Sequence, residues 1–153
     1  MATTASKEDL LQACIQDLHA ARRVAAGRLP AVAAAAGPEL APILRSVQQD
    51  FAAQAERLEA TGHDLDGPEN LWMAGIMDDA ERDTKTVARG PLLDTALIGA
   101  VRKGLAADGV SLETGVAVAR SLGKDREGEL LEEMRELSGQ SDGRLRQLLQ
   151  QIA

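Results

Sequence analysis

The stretch LHAARRVAAGRL, residues 18–29, is rich in alanine and carries two adjacent arginines near its centre. Counting outward in steps of four and three, Leu11, Ile15, Leu18, Arg22, Ala25, Leu29 and Val32 fall on one helical stripe. Every position on it is apolar except Arg22. A face of this kind belongs to a long helix packed against other helices, so the stretch predicts an all-α core. It also raises a question, because a guanidinium stays charged at any ordinary pH.

The rest of the chain repeats the pattern between Gly and Pro breaks. The first helix should begin after Ser6, whose hydroxyl can cap the first turn, with Asp9 three residues on. It should run to about Ala36, where Gly37-Pro38 stops it, and Pro30 should bend it near Ala26. A second helix over 38–60 carries the stripe Leu40, Leu44, Val47, Phe51, Gln54, Leu58. A third, shorter one is expected from Pro68, a good first-turn residue, to Val87. The fourth, 91–122, presents Ile98, Val101, Leu105, Asp108, Leu112, Val116 and Ala119, and Gly123 should cap it. The fifth, 124–152, presents Leu130, Met134, Leu137, Ser141, Leu145, Leu148 and Ile152. No run of alternating β-branched residues predicts a strand. The expectation is one domain over 1–153, a four-helix bundle with an additional short helix. The first and second helices should form one hairpin, the fourth and fifth another, with helices crossing near 20 degrees.

The chain has 153 residues with 17 basic and 24 acidic side chains, for a net charge of −7. That balance argues against a nucleic-acid partner, which needs a basic face to displace counterions, and against docking on an anionic membrane. With no Tyr, one Trp (Trp72) and one Phe (Phe51), there is no aromatic platform for stacking on bases. Cys14 is alone, cannot form an intramolecular disulfide, and reads as a buried, inert thiol. The opening MATTASKEDLL has no signal pattern, and uncharged runs fall well short of the roughly 20 residues a membrane span needs. A cytoplasmic protein is the expectation.

The order of LHAARRVAAGRLPAVAAAA, QAERLEATG, MAGIMDDA, LLDTALIGAVRK and LLEEM resembles the YciE/YciF-like family of ferritin-like stress proteins. The resemblance spans roughly Asp9 to Ile152. It implies a ferritin-like bundle with a di-iron centre held by inward glutamates and Glu-x-x-His pairs, since several carboxylates must neutralise two cations. It also implies a glutamate where this chain has Arg22. The acid-to-Gln pair of the second helix maps to Asp50 and Gln54. On the fourth helix the implied Glu-His-Tyr-Glu cluster reads here Leu105, Ala106, Ala107, Asp108, and the paired acids of the fifth fall at Leu137 and Ser138. No Glu-x-x-His occurs, and His19 and His63 read as structural or solvated.

These positions form an expected polar layer at mid-bundle: Arg22, Asp50, Gln54, Asp108, and Ser138 or Ser141. An unpaired charge there is very costly. Arg22 is therefore expected either to bridge Asp50 and Asp108, its planar fork suiting carboxylates, or to turn outward along its aliphatic stem. The function expected is non-enzymatic, structural or partner-binding, in a stress response and without a cofactor. Self-association through Ala33–Ala36 or Leu71–Met73 is a further expectation, although Trp72 reads first as a core plug. The alternative is a di-metal oxidase or metal-storage protein holding iron or manganese on Asp50, Asp79, Asp108 and Glu132 or Glu133. The run Asp78, Asp79, Glu81, Asp83 reads as a solvated face, and DREGELLEEMRE (125–136) as an exposed, ion-paired one.

Overall fold

Five helices form in the computed structural model, which describes residues 3–153. They are α1 (Lys7–Ala35), α2 (Leu40–Glu59), α3 (Leu71–Thr86), α4 (Pro91–Ser121) and α5 (Asp125–Ile152), and no strand occurs among the described residues. The all-α bundle read from the periodicity is the fold observed.

Local chemistry sets the ends. Ser6 Oγ accepts from the Asp9 amide at 3.0 Å, and the Asp9 carboxylate reaches back to the Ala5 amide at 3.3 Å. Helix α1 continues through Pro30. The Ala26 carbonyl, which Pro30 cannot serve because it lacks an N–H, accepts from Gln48 Nε2 of α2 at 3.3 Å. The start of α3 differs from the expectation at Pro68. Asn70 is the cap, its side-chain oxygen accepting from the Met73 amide at 2.7 Å while its Nδ2 donates to Asp17 of α1 at 2.8 Å. Tethered there, Asn70 leaves Pro68 in the preceding loop. At the end of α4, Gly123 takes φ +70°, and the Lys124 and Gly123 amides donate to the carbonyls of Ala119 (2.9 Å) and Arg120 (3.1 Å).

Helices α1 and α2 form one hairpin and α4 and α5 the other; α1 packs beside α4, and α2 beside α5. Helix α3 packs on α1 and α4 and runs the same way as α1. Its start meets Asp17, and farther along Arg28 binds Asp78 and Glu81. It thus carries the chain back along the bundle before α4 begins, where Asp94 accepts from the Gly37 amide at 2.9 Å.

The apolar interior is divided in two. One cluster includes Ala25, Leu29, Leu44, Phe51, Leu97, Leu105 and Leu145. The other gathers Leu11, Ile15, Leu18, Leu58, Leu112 and Met134. Between them in sequence on α2, α4 and α5 lie Gln54, Asp108, Ser138 and Ser141, and on α1 Arg22 follows Ala21 at the edge of the first cluster; all five polar residues are buried.

Candidate functional site

Arg22 and Asp108 are the centre of this polar layer, and both side chains are 0 % exposed. Arg22 Nη1 donates to Asp108 Oδ1 at 2.7 Å and Nη2 to Oδ2 at 3.1 Å, the bidentate geometry that a guanidinium and a carboxylate favour. Nη1 also donates to the Leu18 carbonyl one turn back, at 3.1 Å. Ser138 Oγ donates to Asp108 Oδ2 at 3.1 Å, so three of the four long helices contribute to the network. The fourth contributes an aromatic face, the Phe51 ring of α2 lying 5.5 Å from Arg22 Cζ. Phe51 reads from the sequence only as a core residue, since nothing in the spacing marks a cation above its ring.

Asp50 is not part of the network. It lies one turn from Gln54 on α2 and is half-buried; partial desolvation raises its carboxyl above the ordinary range, and Arg144 opposes that rise. The expected bridge from Arg22 to two carboxylates is thus corrected to one, because Asp108 occupies both arms of the fork. Gln54 is buried, and its Oε1 finds no donor in the protein, as Arg22 Nε finds no acceptor. Ser141 Oγ accepts from Arg144 at 3.3 Å.

The other acids of the alternative metal set do not join Asp108. Asp79 pairs with Arg82, Glu132 with Arg135 at 3.1 Å, and Glu133 with Arg57 at 2.9 Å. Among the described residues, no three His, Cys, Asp or Glu side chains gather in a way that could hold a metal ion. Asp108, with both oxygens hydrogen-bonded beside a permanent cation, does not fit an iron or manganese pair, which requires several free carboxylates.

Elsewhere, His19 Nε2 lies 2.9 Å from Glu59, which also binds Arg23, and His63 contacts Gln12 (3.1 Å) and Glu127 (3.4 Å). The acidic face of α3 is partly cross-linked, since Arg28 binds Glu81 at 2.8 Å and Asp78 at 2.5 Å. Asp17, which no sequence pattern singles out, accepts from both Asn70 and Trp72 Nε1, the latter at 3.0 Å. Trp72 thus packs against the apolar core but is only half-buried, with its indole N–H hydrogen-bonded, and is not a fully buried plug. Of the surfaces considered for self-association, Ala33 and Met73 are buried in the core, whereas Leu71 is 81 % exposed.

Residues 6–153 match the family described as Domain of unknown function (DUF892). The chain belongs to that family. The fold of this family member is similar to the crystal structure of the E. coli stress protein YciF, with a TM-score of 0.90 and 21 % identity. That match covers 95 % of this chain and 96 % of YciF. It is also similar to YcfI from Rhodopseudomonas palustris, for which a structural role has been suggested. Here the TM-score is 0.86 at 22 % identity, covering 93 % of this chain and 94 % of YcfI. No curated protein matches the sequence. These likenesses agree with the YciE/YciF-like resemblance carried by the sequence motifs. No helix among the described residues is long and apolar enough to cross a membrane.

Proposed function

We propose that this chain is a ferritin-like bundle without a di-iron centre, acting as a non-enzymatic structural or partner-binding protein in a stress response. The observation that carries the reading is the fully buried Arg22–Asp108 pair. A guanidinium held fork to fork on the one carboxylate of the layer supplies positive charge where a ferritin-like bundle would place cations. Its partner oxygens are then spoken for, and a metal entering would face direct repulsion from Arg22. The likeness to YciF supports the stress connection, and the structural role suggested for YcfI supports the non-enzymatic one. A cytoplasmic location and self-association belong to the same reading.

Metal analysis tests it. The protein is purified without chelator, loaded with ferrous iron or manganese under anaerobic conditions, desalted and assayed for bound metal. The expected result is far less than one ion per chain. Stoichiometric iron or manganese that survives desalting would overturn the proposal in favour of a metal-storage or oxidase role. Sedimentation equilibrium of the same preparation reads the oligomeric state.

A further inference from the structure

Between α2 and α5, beside the ion pair, the polar side chains of Asp50, Gln54, Ser138 and Ser141 line a cavity together with apolar neighbours that include Phe51 and Leu105. The space open to the centre of a water molecule is about 10 Å³, room for one such molecule and nothing larger. Gln54 is 3 % exposed, and its Oε1 is an acceptor without a donor in the protein. A buried amide oxygen is rarely left in that state.

The remaining groups are complementary to a water. Ser138 spends its hydroxyl proton on Asp108 Oδ2, which leaves it only lone pairs to offer. Ser141 Oγ already accepts from Arg144, which leaves its proton to donate. Asp50 supplies a half-buried carboxylate. We infer that one resident water is bound in this cavity, donating to Gln54 Oε1 and to the Asp50 carboxylate and accepting from the Ser141 hydroxyl. Three hydrogen bonds are the usual complement of a buried water. A cation is the poorer occupant, because the single carboxylate available already faces the charge of Arg144.

The water has a definite structural role. Among the described residues, the direct polar links between α2 and α5 are Arg57–Glu133 and Arg144–Ser46, both at the exposed surface. The bound water joins the same two helices from inside, at the layer that divides the two apolar clusters. It therefore adds a second internal link between the two hairpins, beside the Arg22–Asp108 pair, where apolar packing is interrupted.

The test uses the full chain labelled with nitrogen-15. In the wild type, water-selective nuclear Overhauser spectra should show the Gln54 side-chain amide in contact with a water of long residence time. Oxygen-17 relaxation dispersion should count one more long-lived water in the wild type than in Gln54→Met, which keeps the length and removes the acceptor. Ser141→Ala should shorten the residence time at least tenfold. The absence of a long-lived water at Gln54 in the wild type would overturn the inference, and that measurement needs no variant to fold. An equal count in Gln54→Met would also overturn it. So would sodium-23 line broadening that Gln54→Met abolishes, which would identify a cation as the occupant.

Discussion

Arg22 of α1 and Asp108 of α4, 86 residues apart in sequence, meet through two hydrogen bonds of 2.7 and 3.1 Å with neither side chain exposed. Taking two charges out of water costs as much as their attraction returns, so the pair is not a large net source of stability. Breaking it is another matter. Arg22→Leu should cost about 3–5 kcal/mol, because it leaves the buried Asp108 without its ion-pair partner. Arg23→Leu removes only an exposed pair with Glu59 and should cost about 1 kcal/mol or less. The double variant Arg22→Leu/Asp108→Leu should recover most of the loss. Urea unfolding of the three variants checks this, and equal costs for Arg22→Leu and Arg23→Leu would refute the buried bridge.

The α4–α5 seam depends on one glycine. A Cβ on Gly115 would come 2.8 Å from Leu131 Cδ1 and 3.2 Å from Cys14 Sγ. Gly115→Ala should therefore destabilise by about 1–3 kcal/mol through overpacking. Gly139, in the interior of α5, has nothing within 4 Å of the same position, so Gly139→Ala should stabilise by about 0.5–1 kcal/mol. Thermal unfolding should move the midpoint in opposite directions for the two substitutions.

Asp50 should give a stability effect of unusual sign. Its folded carboxyl titrates above its unfolded value because burial disfavours the charge. The folded state then holds its proton to higher pH, so stability contributed by this group is greatest in acid. It falls as pH rises through the window between the two values. Asp50→Asn should accordingly be more stable than wild type at pH 7, and the difference should shrink toward pH 3. Denaturation midpoints across that range measure it; an Asn variant less stable at neutral pH would contradict the assignment.

Cys14 should be a slow thiol. Burial raises its pKa to about 11, with Asp17 adding to the effect, and Sγ donates to the Ser111 carbonyl at 3.4 Å. At pH 8 the native protein should react with an aromatic disulfide reagent at least about a hundredfold more slowly than the urea-unfolded chain. Comparable rates would place the thiol in solvent.

How much of this was legible beforehand follows the kind of interaction involved. Helix ends set by nearby residues could be read directly: Ser6 with Asp9, Gly37-Pro38 and Gly123 all act within a few residues of themselves. The start of α3 could not, because Asn70 rather than Pro68 begins it through a bond to Asp17, which is 53 residues earlier. The stripes likewise placed Gln54 and Asp108 on inward faces, since periodicity reports which face of a helix is turned to the core, but left open whether the Arg22 side chain is buried or turned outward.

The sequence by itself determined an all-helical chain with Asp108 and, on the first helix, the cation Arg22 on otherwise apolar stripes, because helix propensity, breaks and periodicity are local properties. Only the tertiary structure decided what that cation meets. Asp108 lies on the apolar stripe of α4, and Asp50 lies beside that of α2, one turn before Gln54. The packing of α1 against α4 brings Asp108 onto both arms of the guanidinium and leaves Asp50 half-exposed on α2. A choice between two candidate acids on different helices depends on how the helices are rotated and set against one another, and no spacing within one helix encodes which of them the guanidinium meets.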